Sequence, residues 1–259
     1  MRKLAYHTIR LLFTLYSKAL PVPNRYYSYR FAGGMIYLNI KESPMMLARA
    51  MGLYERNKVK AMRSFLKPGM TFIDVGANKG DFSLLAASLV GDRGEVLTFE
   101  PEPENCKWIR RSIELNGYRN VRLYEVALGD TQGQAQLYLG EKSGWHTLLP
   151  SQPFRNVATI SILKRTLDSI LEETNHRYVN LIKIDVEGAE LEALRGAYHT
   201  LSNNRDIVLL IDTHPQLGVS PVEVCDFLKE LGFTLHRVRP PYNRLLSINR
   251  GLKEILAKR

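Results

Sequence analysis

The residues best suited to chemistry in this chain form a short block, TFIDVGANKGDFS, at residues 71–83. Three apolar or β-branched residues and an acid lead into a loop with Gly76, Asn78 and Gly80, and an apolar helix follows. Gly76 permits a tight turn, Asn78 tolerates a left-handed backbone, and Gly80 lets a ligand approach the start of the helix. Because exposed N–H groups at a helix start attract polar ligand groups, the block predicts a nucleotide-type site.

Two acids narrow the type of ligand. Asp74 at the strand end would repel a pyrophosphate, but it suits an ammonium or a sulfonium. Glu100 stands at the end of the next predicted strand, 24 residues after Gly76, where an acid accepts hydrogen bonds from ribose hydroxyls. The spacing from Gly76 to Gly80 does not satisfy the GxGxxG pattern of nicotinamide-binding proteins. These features favour S-adenosyl-L-methionine as the ligand; the alternative is that both acids merely cap strand ends.

A second polar block, KIDVEGAE at residues 183–190, follows another apolar run. It places Asp185 and Glu187 at or just beyond the tip of the fourth predicted strand, where ligands bind in parallel sheets. We expect Asp185 to be catalytic by orienting either the methionine ammonium or the substrate hydroxyl, and Glu187 to contact the substrate. Alternatively, Glu187 and Glu190 are first-turn acids favoured by the helix dipole.

The fifth predicted strand ends in Asp212, Thr213 and His214. A methyl sulfonium is already activated, so a methyl-transferring enzyme must align the acceptor and remove its proton. A neutral imidazole at His214 would serve as that base, although a histidine at a strand end is often only a structural hydrogen-bonding group. Asp185, Asp212 and His214 would alternatively bind Mg²⁺. Nothing else in the sequence supports a metal, and we predict none.

Alternating strand and helix signals position these blocks. Strands are predicted at 70–75, 94–99, 121–127, 179–185 and 206–212, and helices at 48–66, 80–90, 103–116, 188–202 and 221–231. Such alternation indicates an α/β domain with a parallel sheet covered by helices on both faces. Further strands are predicted as a short strand or hairpin at 30–41, an inserted hairpin at 134–138 and 157–162, and a closing pair at 232–238 and 243–249.

The inserted segment GEKSGWHTLLPS, residues 140–151, is a loop rich in glycine and serine. Trp145 and His146 are candidates for stacking on a sugar face and for hydrogen-bonding a hydroxyl. Trp145 is equally suited to anchor the hairpin as a buried side chain. The segment therefore carries the predicted acceptor contacts.

The blocks DVGAN and KIDVEGAE, with the sequence around them over roughly residues 50 to 240, resemble the FkbM family of S-adenosylmethionine-dependent methyltransferases. The resemblance implies a Rossmann-like, seven-stranded methyltransferase fold with a reversed final strand. It also implies methyl transfer to oxygen, commonly a hydroxyl of a sugar or a macrolide-type product. The site residues it implies are Asp74, Gly76, Asn78 and Gly80 for the methionine part, Glu100 for the ribose, and Glu125 with the backbone of Val126 and Ala127 for the adenine.

Composition and charge indicate how the chain is organised. Its 259 residues suit one large domain, and two cysteines without ligand spacing indicate neither disulfides nor zinc, so a reducing, cytoplasmic location is expected. Residues 1–69 carry 13 Lys or Arg against 2 Asp or Glu, whereas residues 70–231 carry 16 against 23. We therefore divide the chain into a basic N-terminal extension (1–69), a methyltransferase domain (70–250) and a basic C-terminal tail (251–259).

The first twenty residues are apolar at helical spacing but contain His7, Arg10 and Lys18, which argues against a signal peptide or a membrane span. The pattern predicts an amphipathic helix that either lies on an anionic membrane, on its inner face, or packs on the domain.

The sequence as a whole predicts an O-methyltransferase for a hydroxyl of a glycan, glycolipid or small metabolite. The pI of 9.6 suggests nucleic-acid methylation as an alternative. We do not expect nucleic acid as a partner, because the basic residues lie mainly outside the acidic central part. A catalytically silent binding module is the second alternative, and the oligomeric state is left open.

Overall fold

The structure is a computed structural model and describes residues 13–14, 25–141, 143–150, 156–176, 178–239, 246 and 252–259. The helix predicted for the first twenty residues lies outside this range except for Phe13 and Thr14, which are helical. No helix within the described ranges combines the length and apolarity needed to cross a bilayer.

The elements alternate between strand and helix along most of the chain. The strands are β1 (Tyr27–Phe31), β2 (Gly34–Leu38), β3 (Thr71–Val75), β4 (Glu95–Phe99), β5 (Val121–Tyr124), β6 (Ala127–Leu128), β7 (Gly133–Gly140), β8 (Asn156–Arg165), β9 (Leu181–Ile184), β10 (Val208–Asp212), β11 (Thr234–His236) and β12 (Glu254–Lys258). The helices are α1 (Pro44–Ala50), α2 (Arg56–Phe65), α3 (Asp81–Val90), α4 (Pro103–Asn116), α5 (Leu167–Glu173), α6 (Glu190–Arg195), α7 (Tyr198–Asn203) and α8 (Pro221–Glu230).

Seven of these strands form one sheet in the order β11-β12-β10-β9-β3-β4-β5. From β10 to β5 neighbouring strands pair in parallel, whereas β12 runs antiparallel to both of its neighbours. Successive residues of β3 alternate between two apolar cores, with Phe72 in one and Ile73 in the other. The predicted fold, a mostly parallel sheet with a reversed final strand and helices on both faces, is confirmed.

The reversed strand lies where the sequence suggested a tail. We predicted a basic tail at 251–259, but Glu254–Lys258 form β12, whose Ile255, Leu256 and Ala257 are fully buried between β10 and β11. Three apolar residues flanked by charges are too short a pattern to stand out in the sequence. The strand predicted at 243–249 lies outside the described residues except for Leu246, which is not in a strand.

Two predicted helices are each divided in the structure. The segment at 188–202 forms α6 and α7, separated at Gly196, where a Cβ would lie 1.9 Å from the backbone oxygen of Gly129. The segment at 48–66 is likewise replaced by α1, a turn and α2. The close backbone approach at Gly196 depends on a distant part of the chain and therefore leaves no local sequence pattern.

The N-terminal layer, which we define as residues 26–66, packs on the main sheet. Its β1–β2 hairpin confirms the strand or hairpin predicted at 30–41. Ile36, Met46 and Met62 from this layer are buried in the same apolar core as Phe72 and Leu85. The layer therefore belongs to the same packed core as the main sheet and brings α1 and α2 to the edge of that sheet.

The inserted hairpin is also confirmed. Strands β7 and β8 pair antiparallel, and β6 joins them in a separate three-stranded sheet. The segment between them crosses the main sheet's edge, where Leu149 touches Gly188 closely enough that a Cβ there would lie 2.6 Å from Leu149 Cδ1.

Candidate active site

A cleft opens at the carboxyl ends of β3, β4 and β9. Its apolar walls include Phe99, Val126, Leu128 and Leu137, and its polar groups include Glu100, Asp185 and Glu187. An apolar cavity with a few polar groups at one end is the usual form of a small-molecule site. Other lining residues come from the N-terminal layer and the inserted segment and are Arg49, Tyr54, Gly144, His146, Thr147 and Leu148.

The loop after β3 forms the floor of this cleft. Gly76 has a φ of +74°, and a Cβ there would lie 2.0 Å from the backbone oxygen of Asp185, so only glycine fits. Asn78 has a φ of +55° and also lines the cleft. Gly80 has a φ of +85° and faces Ile109, 3.2 Å from a Cβ at this position. Gly80 thus packs against α4 and is not among the residues that line the cleft, so its contact with the cofactor stays a prediction.

Asp74 lies beneath this loop. Its carboxylate is fully buried, accepts a hydrogen bond from Ser83 Oγ at 2.7 Å, and pairs with Lys183 Nζ at 3.2 Å. Lys183 in turn donates to the backbone oxygen of Gly76 at 2.7 Å. Asp74 is thus placed to hold the loop through Lys183, and it is not among the residues that line the cleft.

Glu100 lines the cleft at the tip of β4. One carboxylate oxygen accepts the N–H of Asn78 at 2.7 Å, and the other accepts the N–H of Glu102 at 3.0 Å and Asn105 Nδ2 at 3.3 Å. Burial raises the pKa of Glu100 to about 7, although these hydrogen bonds oppose the shift. Its carboxylate is therefore fixed in orientation at the predicted ribose position.

Glu125 does not lie where the resemblance implied. Its side chain forms an exposed ion pair with Arg110 and does not line the cleft. Val126 and Ala127, whose backbone was expected beside the adenine, do line it. The side chain of Glu125 is exposed to solvent, whereas the next two residues face the cleft.

Asp185, Glu187 and His214 meet at one end of the cleft. His214 Nε2 lies 3.6 Å from Asp185 Oδ1 and 3.4 Å from Glu187 Oε2. Its Nδ1 donates to the fully buried carboxylate of Glu190 at 2.5 Å. The structure thus brings together the residues predicted at the ends of two different strands, and Glu190 is the group that orients the imidazole.

The protonation of this cluster follows from its geometry. Burial raises the pKa of Glu187 to about 8, with the positive charge of His214 opposing the shift. Burial alone would lower the pKa of His214, but the bond to Glu190 and the nearby carboxylates raise it to about 9. Burial would raise the pKa of Asp185, yet Lys183 and Lys58 hold it below its usual value. At neutral pH the imidazole is charged, which does not fit the neutral base we predicted.

The alternative metal set is not brought together as predicted. Asp185, Glu187 and His214 have one possible ligand atom each within 4.8 Å of one another, and so do Glu55, Asp185 and Asp212. Lys58, which is buried, pairs with both Glu55 and Asp212. An ammonium therefore already neutralises the carboxylates around Asp212.

The inserted segment contributes one of its two predicted substrate residues to the cleft. His146 lines it, accepts the N–H of Gly140 at Nδ1 at 3.2 Å, and has its pKa lowered by burial. Trp145 is half-buried against Gly140 and is not among the lining residues. Thr147 Oγ1 donates to the backbone oxygen of Glu187 at 2.5 Å. This hydrogen bond connects the inserted segment to the cluster of Asp185, Glu187 and His214.

Sequence reasoning missed Arg49 and Tyr54, which the N-terminal layer brings to the cleft. Both are buried side chains of a helix and the turn after it, so their periodicity suggested only an apolar face. The one available signal was the stretch MGLYERNK, which already belonged to the resembling region.

Comparison with known proteins agrees with this geometry. Residues 74–235, more than half of the chain, match the family model described as the methyltransferase FkbM domain. The chain belongs to this family. The matched residues form a methyltransferase domain, and S-adenosyl-L-methionine is the cofactor of this domain.

Curated relatives of this FkbM-domain protein are distant. Methyltransferase 1 of Beauveria bassiana is 28% identical over 48% of this chain and 57% of its own length. The 2-O-methyltransferase NoeI of Sinorhizobium fredii is 27% identical over 54% of this chain and 63% of its own length. The match thus spans less than two thirds of either relative.

A solved structure supports the fold of this FkbM-domain protein. A protein described as a putative rRNA methylase from Clostridium thermocellum superimposes with a TM-score of 0.50 at 12% identity, over 78% of this chain and 93% of its own. A methyltransferase FkbM structure from Methylobacillus flagellatus gives a TM-score of 0.46 at 15% identity, over 96% of this chain and 59% of its own.

The residues of the cleft fit the cofactor. The loop residues Gly76 and Asn78 line the cleft, and Glu100 presents carboxylate oxygens fixed by hydrogen bonds. Phe99 and Val126 provide apolar surface for a purine ring. The acids at the other end suit the positive groups of the methionine part.

Proposed function

We propose that this protein transfers a methyl group from S-adenosyl-L-methionine to a hydroxyl oxygen, with Glu187 as the group that receives the hydroxyl proton. The bound cofactor supplies an activated methyl group. The protein's part is then to align the hydroxyl with that group and to accept its proton as the new bond forms.

The observation that carries this proposal is the position and proton affinity of Glu187. Its carboxylate lines the cleft, whereas His214 does not, and its pKa of about 8 lies near a neutral working pH, where a general base is most effective. His214, held by Glu190, is charged and stabilises the ionised form of Glu187. His214 is therefore a positioning residue in this scheme, and Asp185 orients the methionine ammonium.

We further propose a carbohydrate-like or other small polyhydroxyl acceptor. The name of the relative NoeI, a 2-O-methyltransferase, supports oxygen as the methylated atom. His146, whose pKa is lowered by burial, lines the cleft as a neutral side chain and suits hydrogen bonding to a second hydroxyl.

Two experiments test this function. Calorimetry with S-adenosylhomocysteine should show binding to the wild-type protein, and no binding would refute the cofactor assignment of the cleft. Labelled methyl transfer into a cell extract, separated into lipid, glycan, protein and nucleic-acid fractions, should label the glycan, lipid or small-molecule fraction. Label confined to nucleic acid would favour the alternative substrate class.

The proposed membrane contact of residues 1–20 has a separate test. Flotation with anionic vesicles should recover the full chain and lose the variant that lacks these residues. Equal recovery of both proteins would contradict a membrane role.

A further inference from the structure

Arg49 is a buried guanidinium that lines the cofactor cleft without a role in the scheme above. It is only 6% exposed, and it belongs to α1 of the N-terminal layer. Its Nε pairs with Asp81 Oδ2 at 2.9 Å, and its Cζ lies 4.1 Å from the ring centroid of Tyr54, which also lines the cleft. An arginine remains charged when it is buried, so it requires compensating anionic groups.

Its surroundings fix the guanidinium in one orientation. Asp81 is the first residue of α3, directly after the loop that follows β3, and is itself buried. The Tyr54 ring covers one face of the guanidinium, and Met46 Sδ lies 3.6 Å from Nη1. A planar fork with five N–H donors that is held in this way is preorganised for a carboxylate or another flat anion.

The charge pattern at this end of the cleft is that of an amino acid. Arg49 and Asp185 both line it, and the positive charge of Arg49 helps to keep the pKa of Asp185 low. The methionine part of the cofactor carries one ammonium and one carboxylate. The cation Arg49 and the anion Asp185 are suited to pair with the carboxylate and the ammonium of the methionine part, respectively.

We propose that Arg49 binds the carboxylate of the methionine part of S-adenosyl-L-methionine. The proposal rests on the cofactor site described above. It makes the N-terminal layer a component of cofactor binding, because the cation comes from α1, which contacts α3 through the ion pair of Arg49 with Asp81.

The test compares two ligands that differ only at this end. S-adenosylhomocysteine has the amino-acid part, whereas 5′-methylthioadenosine keeps the adenosine and sulfur but lacks the carboxylate and ammonium. In the full-length protein, Arg49→Met should raise the Kd of S-adenosylhomocysteine about 10- to 100-fold, the range expected for a lost charged hydrogen bond. The Kd of 5′-methylthioadenosine should change less than about 2-fold.

Two further variants keep the test decisive if Arg49→Met unfolds. The double variant Arg49→Met with Asp81→Asn removes both buried charges and should show the same selective loss. Arg49→Lys keeps the charge without the fork and should lose less. Arg165→Met, which removes a different arginine paired with Glu173, is the control and should bind both ligands normally.

The remaining outcomes overturn the proposal. An equal loss of both ligands would assign Arg49 a structural role only. Normal binding of S-adenosylhomocysteine with a raised KM for the acceptor would assign the guanidinium to an anionic acceptor group. If wild-type protein binds neither ligand, the failure lies in the cofactor assignment itself, which separates the two hypotheses.

Discussion

The two halves of the cleft are built on different principles. The half formed by the loop after β3 is a backbone site, where Gly76, Asn78 and Glu100 are fixed by one strand-to-helix turn and its neighbour. The other half combines side chains from α1, the inserted segment and the ends of two strands. A site built from one stretch of backbone leaves a continuous motif in the sequence, whereas a site built from side chains of distant segments does not.

The strongest test of the backbone half is Gly76→Ala. The added Cβ would lie 2.0 Å from a backbone oxygen at a positive φ, so we expect about 3 kcal/mol or more of destabilisation and loss of S-adenosylhomocysteine binding. Gly117→Ala is the matched control, because its φ of +67° is similar but no atom lies within 4 Å of its Cβ. It should cost about 1 kcal/mol and leave binding intact. Denaturant titrations measure the loss of stability and calorimetry measures cofactor binding. If both glycine variants gave the same losses, the positive φ, and not the close contact with Asp185, would be the cause.

The side-chain half should fail differently. Glu187→Gln should lower kcat by about 10²- to 10⁴-fold, the usual contribution of a general base, and leave the Kd of S-adenosylhomocysteine nearly unchanged. Glu192→Gln changes an acid in α6 that pairs with Lys164, and it should retain full activity. A loss of cofactor binding in Glu187→Gln would show that the two halves are not separable.

The pH dependence of the rate sharpens the same contrast. Glu187 must be ionised to accept a proton, so the rate should rise with pH through about 8. Above about pH 9 His214 loses its charge. The rate should then fall, because this charge stabilises the ionised form of Glu187. His214→Asn should remove the alkaline limb. Cofactor binding should instead weaken below about pH 7, because Glu100 in the backbone half then becomes protonated. A flat profile over pH 6 to 9 with rate-limiting chemistry would argue against Glu187 as the base.

The smallest effect is expected at Glu125. Because its ion pair with Arg110 is exposed and lies away from the cleft, Glu125→Ala should change the Kd of S-adenosylhomocysteine less than about 2-fold. A larger loss would restore the adenine contact that the resemblance implied, and would mean that this side chain turns inwards when the cofactor binds.

Much of the fold was readable because parallel strands are buried on both faces and therefore appear as apolar runs. Helix α4 was predicted at its observed bounds, since Glu102 caps its start and Gly117 follows its end. Strand β12 was not recognised, because its three apolar residues are buried only by pairing between β10 and β11.

The site was readable to the same extent. Gly76, Asn78, Glu100, Asp185 and Glu187 were predicted and line one cleft, but Asp74, Glu125 and Trp145 lie outside it. A sequence indicates which strand tip a residue occupies. It does not indicate whether the side chain faces the cleft, the layer beneath it or the solvent, because that depends on the neighbouring elements.

The sequence by itself determined the strand-to-helix turn, the parallel sheet and the family, because these follow from local backbone demands and buried apolar runs. Only the tertiary structure decided that His214 is held by Glu190 and that Arg49 reaches the cleft. The physical reason is that proton affinity and ligand contact depend on charges and burial contributed by residues far apart in the chain.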